Sequence, residues 1–150
     1  MASTIASWLV PIMQVLTERG VAARSQIVGC TSAEIEEIAG GRKLPTRYRD
    51  FLKAMGRGAG RFYEGSDVFY PHAVGLTKGA RNLVAQDPAK IALPDDAVAI
   101  VMHQGYQFLF VRTGEGDDPP VYYYLEQSGE FEKKVDSLSG FLSRVIHDEW

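Results

Sequence analysis

Residues 93–126 read LPDDAVAIVMHQGYQFLFVRTGEGDDPPVYYYLE, and the fold turns on how this stretch is parsed. Ala97 to His103 is an unbroken run between Asp95-Asp96 and Gln104-Gly105. Its apolar side chains occupy both alternating faces, Val98, Ile100 and Met102 against Ala99 and Val101, which predicts a strand covered on both sides. Gln104-Gly105 reads as a two-residue hairpin turn, because Gly accepts the positive φ that such a turn needs, and Tyr106 to Val111 reads as the returning strand. A polar loop, Thr113 to Pro120, leads into a third strand from Val121 to Leu125. Three successive strands with short links make an antiparallel meander, the expected core of an α+β fold.

A chain of 150 residues is read as one domain, able to bury roughly two-thirds of its unfolded surface. Its hydrophobic content of 45% and charged content of 23% are those of a globular protein. The net charge of −3 is unevenly spread: residues 1–60 carry 8 Lys/Arg against 5 Asp/Glu, and residues 61–150 carry 8 against 14. The acidic half contains the meander, which argues against a nucleic-acid groove there and suits a basic protein partner. A single cysteine, Cys30, excludes an intrachain disulfide and fits a reducing compartment. The apolar run from Ile5 to Leu16 has no basic segment before it and is shorter than the ~20 residues of a membrane span. A cytoplasmic location is expected.

Along the chain, Ile5, Trp8, Leu9, Ile12, Met13 and Leu16 form one helical stripe, with Pro11 either kinking the helix or marking its true start. Gly20 stops it, and residues 21–29 read as a connector. Thr31 and Glu34 form a capping box that opens a helix closed by Gly40-Gly41. Leu44-Pro45 opens another, with Pro in the first turn and Tyr48, Phe51, Leu52 and Met55 inward, ended by Gly56. The glycines at 56, 58 and 60 follow a helix instead of a strand, so they read as a flexible exit and not as a phosphate loop. Asp67 to Tyr70 suggests a short strand, and Thr77 a cap for a helix through Gln86 with Leu83 and Val84 inward. Glu130 to Val135 alternates like an edge strand. Ser137 caps a last helix whose Leu138, Phe141, Leu142, Val145 and Ile146 share one face, despite Gly140 inside it.

Motifs of chemistry are sparse. His72, His103 and His147 belong to no metal-binding spacing, and no GxSxG elbow is present. Cys30 lies beside a helix cap that could lower a thiol pKa, but no base adjoins it, so it reads as a small buried side chain. Glu115, Asp117 and Asp118 lack the register of a calcium loop. No catalytic residue, metal ligand or cofactor site is assigned. Within Tyr122-Tyr123-Tyr124, strand alternation puts Tyr122 and Tyr124 on one face, and tyrosine suits protein interfaces as well as core edges.

The order of these signals, TSAEIEEIAGG, then LPTRYRDFLKAMGRG, then LPDDAVAIVMHQGYQFLFV, PPVYYYLE and SLSGFLSRVI, resembles the SUKH superfamily, the Smi/Knr-type domain. The resemblance covers roughly residues 29–147, with the helix within residues 1–20 preceding the domain proper. Ala39-Gly40-Gly41 replaces an acidic residue often found there, and Met55 replaces an Asn that usually precedes the closing Gly. The resemblance implies a bent antiparallel sheet with helices packed on it, and no enzymatic activity. Bacterial members resemble immunity proteins encoded beside polymorphic toxins, many of them nucleases; eukaryotic ones act as regulatory interaction modules.

The expectation is therefore a protein-binding domain facing a basic toxin domain, as a monomer or a weak dimer. Its binding residues are expected to be Asp95, Asp96, Glu115, Asp117 and Asp118 at one end of the meander, with Tyr122, Tyr124 and Glu126 as anchors. The alternatives are a regulatory interaction module, or a small enzyme or ligand-binding protein with a site assembled from dispersed residues such as His72, His103 and Tyr106. A pocket with converging polar groups would favour the latter.

Overall fold

Five strands lie side by side in the order in which the chain makes them. The computed structural model describes residues 5–146. The chain forms α1 (Val10–Glu18), β1 (Ile27–Val28), α2 (Ser32–Ala39), α3 (Thr46–Met55), β2 (Gly58–Ala59), β3 (Ser66–Asp67) and α4 (Leu76–Ala85). It continues through β4 (Ala97–His103), β5 (Gln107–Arg112), β6 (Val121–Leu125), β7 (Glu132–Val135) and α5 (Leu138–Val145). Strands β3 to β7 form one antiparallel sheet in sequential order, and β1 and β2 form a separate pair. The fold is α+β with the meander at its centre, as the sequence predicts.

The sheet is covered on both faces. Helices α1, α2, α3 and α5 pack on one, around Leu52, Met55, Leu109 and Phe141. Helix α4 covers the other with Leu76, Ala80 and Val84 against Phe108, Phe110 and Tyr124. This double cover is why β4 is apolar at successive positions. Cross-strand aromatic pairs tie β5 to β6: Phe108 to Tyr124 at 5.3 Å between ring centres, and Phe110 to Tyr122 at 5.2 Å.

The face assignment within β4 departs from simple alternation. A bulge between Ala99 and Val101 leaves Ile100 without a partner on β5. Ile100 and Val101 consequently both join the four-helix face, and Met102 falls on the α4 face, so Val98, Ile100 and Met102 do not share a side. Beyond the two residues paired with β3, groups of β4 bond to side chains instead. Arg42 donates to the Ala97 carbonyl at 3.0 Å, and Thr77 Oγ1 accepts the Ala99 N–H at 3.0 Å. Thr77 thus holds the sheet and does not cap α4, whose N-cap is Gly75.

Local signals are otherwise realised with small shifts. Pro11 is the second residue of α1, after a 3-10 turn at Ser7–Leu9, so it marks the start of the helix. Thr31 Oγ1 accepts the Glu34 N–H, Glu34 Oε1 accepts the Thr31 N–H, and Gly40 closes α2 at φ 57°. Pro45 is the N-cap of α3, one residue outside the helix. The glycine stretch 56–60 is no flexible exit: Gly58 and Ala59 pair with β1, and a Cβ on Gly60 would stand 2.5 Å from the Val21 carbonyl oxygen. The hairpin turn has Gln104 and Gly105 at φ 51° and 79°, with Tyr106 outside the ladder. Ser137 Oγ accepts the Gly140 N–H at 3.1 Å, and a Cβ at Gly140 would crowd that oxygen at 2.8 Å, so the glycine inside α5 serves its cap. His147 lies outside the described residues.

Candidate functional site

The two acidic loops do meet at one end of the sheet, because β4 begins where β5 ends. Asp96 makes the junction: Arg112 Nε donates to its Oδ1 at 2.8 Å, and the Gly114 N–H donates to its Oδ2 at 2.9 Å. Burial alone would raise the Asp96 carboxyl, but the Gly114 N–H and the Arg112 guanidinium hold it below its ordinary value. Asp117 and Asp118 serve helix starts. The Asp117 carbonyl accepts the Arg47 N–H at 2.9 Å, and its carboxylate accepts the Thr46 hydroxyl at 2.8 Å, both in the first turn of α3. Asp118 accepts the Ser139 N–H at 2.9 Å and hydroxyl at 2.6 Å in the first turn of α5. Helix N-termini offer unsatisfied N–H groups and a positive dipole end, so carboxylates there are stabilising.

These five carboxylates are therefore not a bare patch. Arg112 bonds Asp96, Arg47 stands 3.9 Å from Asp118, and Arg81 donates to the Leu93, Pro94 and Asp95 carbonyls. Asp95, Glu115 and Asp117 are exposed; Asp96 and Asp118 are half-buried. Glu115 accepts the Tyr122 hydroxyl at 3.0 Å, and Tyr122 is half-buried at the same end.

The other two expected anchors lie elsewhere. Tyr124 is fully buried beneath α4, its hydroxyl donating to Asp87 Oδ2 at 2.6 Å, so it cannot meet a partner on this fold. The reason is the two-sided cover: a face shared with Tyr122 is a core face at Tyr124. Glu126 sits at the opposite end, where its N–H donates to the Tyr106 carbonyl at 2.8 Å.

That opposite end carries a second feature. Ser66 Oγ and His103 Nδ1 are 2.8 Å apart across the β3–β4 pair, and the His103 and Tyr106 rings meet edge-on at 5.6 Å. The Tyr123 hydroxyl donates to Gln107, whose amide reaches the Tyr106 hydroxyl at 3.3 Å, and Tyr106 and Leu125 are exposed. Beside His103 opens a groove of about 390 Å³ with Phe62, Val145 and Ile146 in its wall and Arg61 and Glu64 on its rim. The structure thus brings His103 and Tyr106 together, while His72 is exposed in the 3-10 turn His72–Gly75 before α4. Arg61, Glu64 and Ser66 carry no motif; Ser66 meets His103 37 positions on, and Val145 and Ile146 lie some 80 positions away, so no local signal could have found them.

A family model described as SMI1-KNR4 cell-wall (SUKH_6) matches residues 33–142. The chain belongs to this SUKH family. The match runs from the first turn of α2 into α5 and takes in the whole meander. No curated protein matches the chain.

In this SUKH chain the remaining chemistry-bearing groups are tied into the packing. Burial, and then the nearby Glu34, push the Cys30 thiol up to about 11, opposite to what a reactive thiolate requires. Among the described residues no group of His, Cys, Asp and Glu is placed to hold a metal ion, and no helix is long and apolar enough to cross a membrane.

Proposed function

We propose that this SUKH domain is a non-enzymatic, cytoplasmic binding protein that neutralises a toxin domain of basic surface, as immunity proteins do. The observation that carries the reading is the loop pair at one end of the meander, anchored by Asp96 and by two helix starts, which presents Asp95, Glu115 and Asp117 to solvent beside Tyr122. A rigid carboxylate-bearing edge of this kind speeds encounter with a basic partner while costing little to order. Tyr122 is the best placed side chain to be covered on binding, since its ring already rests on Phe110 and its hydroxyl reaches Glu115.

The test is the double variant Asp95→Lys, Glu115→Lys, which leaves the structural ties of Asp96, Asp117 and Asp118 intact. Association with the product of a neighbouring toxin-like reading frame should slow, and its salt dependence should flatten above ~0.1 M ionic strength, where the Debye length is about 10 Å. A folded variant with unchanged rate and salt slope excludes this edge as the interface. Folded His72→Ala and His103→Ala variants should still protect; loss of a measured turnover in either would make the protein an enzyme.

A further inference from the structure

The groove beside His103 has no part in the acidic edge and lies at the opposite end of the sheet. Its lining is mixed, with the edges of Leu16, Phe62, Val145 and Ile146 beside the polar groups of Arg61, Glu64, Ser66 and His103, and a volume of about 390 Å³ falls within the roughly 300–1,000 Å³ of small-ligand sites. Its rim carries both signs of charge. The turn from Arg61 to Glu64, closed by the Glu64 N–H on the Arg61 carbonyl at 3.0 Å, sets the two side chains on the same rim. Arg61 donates from Nη2 to the Gly20 carbonyl at 2.8 Å, one of its five N–H donors. Glu64 is exposed, and its carboxylate has no bonded partner among the described residues. On the sheet side, His103 is engaged through Nδ1 by Ser66, which fixes the ring and leaves Nε2 for another bond.

We propose that this groove binds a small amphoteric molecule with an apolar body, of which a free amino acid with a large apolar side chain is the simplest example. The apolar part of the lining suits an apolar body. The paired rim selects for both charges: a simple anion gains Arg61 but meets Glu64, and a simple cation gains Glu64 but meets Arg61. A zwitterion places its carboxylate on Arg61 and its ammonium on Glu64, with His103 Nε2 a third polar contact. This site is independent of the toxin-binding reading and stands or falls separately from it.

The experiment titrates L-phenylalanine into the isotopically labelled full-length protein and follows amide and imidazole shifts. Saturable shifts at Phe62, Ser66, His103 and Val145 are expected. Phenylacetate, phenethylamine and N-acetyl-L-phenylalaninamide, which lack one or both charges, should bind at least about tenfold more weakly, a loss of about 1.4 kcal/mol. Arg61→Ala and Glu64→Gln should each weaken L-phenylalanine by a similar factor with Tm unchanged. Absence of saturable shifts, equal binding of the uncharged amide, or indifference to both variants would overturn the proposal.

Discussion

The Tyr124 hydroxyl donates to Asp87 Oδ2 at 2.6 Å beneath α4, joining the far end of β6 to the segment that leaves that helix. Among the described residues Asp87 is the only buried charged side chain, and it also accepts the Ala89 N–H at 2.8 Å and the Gly129 N–H at 3.0 Å. One carboxylate thus ties three segments together, as a buried charge must be tied if it is to be tolerated.

That arrangement sets an acid limb of stability. The Tyr124 hydrogen bond first, then the Ala89 N–H, hold the Asp87 carboxyl below its ordinary 3.8. A depressed folded value means the contribution is fully present above pH 3.8 and is lost as pH falls through the lower, folded value. Tyr124→Phe should lower Tm at neutral pH and shrink the fall in Tm below pH 4. The comparison is with Tyr122→Phe, whose hydroxyl bonds an exposed carboxylate and whose loss should be nearly silent. Equal Tm losses in the two variants would refute the assignment.

Ile100 is the bulged residue of β4 and only 4% exposed, facing the four-helix core. Ile100→Asp should cost more than about 4 kcal/mol, because an unpaired charge enters that core. Loss of the near-UV circular dichroism signal and of a cooperative melt is expected; a native-like spectrum would show the strand to be peripheral.

Two glycines should respond in opposite directions. A Cβ on Gly29 would stand 1.7 Å from the Lys53 carbonyl oxygen, where Cys30 also bonds Leu52 O, so the connector crosses α3 with no room for a side chain. Gly29→Ala should destabilise by upwards of about 3 kcal/mol. A Cβ on Gly79, inside α4, would make an ordinary 3.8 Å contact with Met102 Cε. Gly79→Ala should stabilise by about 1 kcal/mol through helix propensity. Denaturant melts of both decide it.

The Tyr48 hydroxyl is buried in the core with no hydrogen-bond partner among the described residues. Tyr48→Phe should therefore leave stability unchanged or raise it by about 1 kcal/mol. Burial also holds the Tyr48 proton well beyond its ordinary 10.0, and Tyr63 behaves alike. Because the folded value is raised, stability is intact below pH 10 and falls as pH rises above it, where only the unfolded chain ionises. The variant should melt higher than the parent by a margin that widens between neutral pH and pH 11. A clear loss of stability at neutral pH would show that the hydroxyl is satisfied in solution.

The sequence by itself determined the elements whose signals are local. Strand β4 had to be apolar on both faces to sit between two cores, and the Thr31–Glu34 box, Gly40 and Ser137 act within a few residues of where they stand. The family resemblance was legible for the same reason, since it rests on the order of such signals. Tertiary structure decided what depends on contacts across the chain. The bulge at Ile100 reassigns Val101 and Met102 between faces, and strand alternation carries no mark of it because the register is set by packing. Asp117 and Asp118 look like solvated loop charges until the first turns of α3 and α5 arrive beside them. Tyr124 looks like a possible anchor until α4 covers it, and Arg61, Glu64 and His103 share a groove only because β3 pairs with β4. A side chain's chemistry is written in the sequence; whether that chemistry faces solvent or is already satisfied by the chain is fixed by long-range packing.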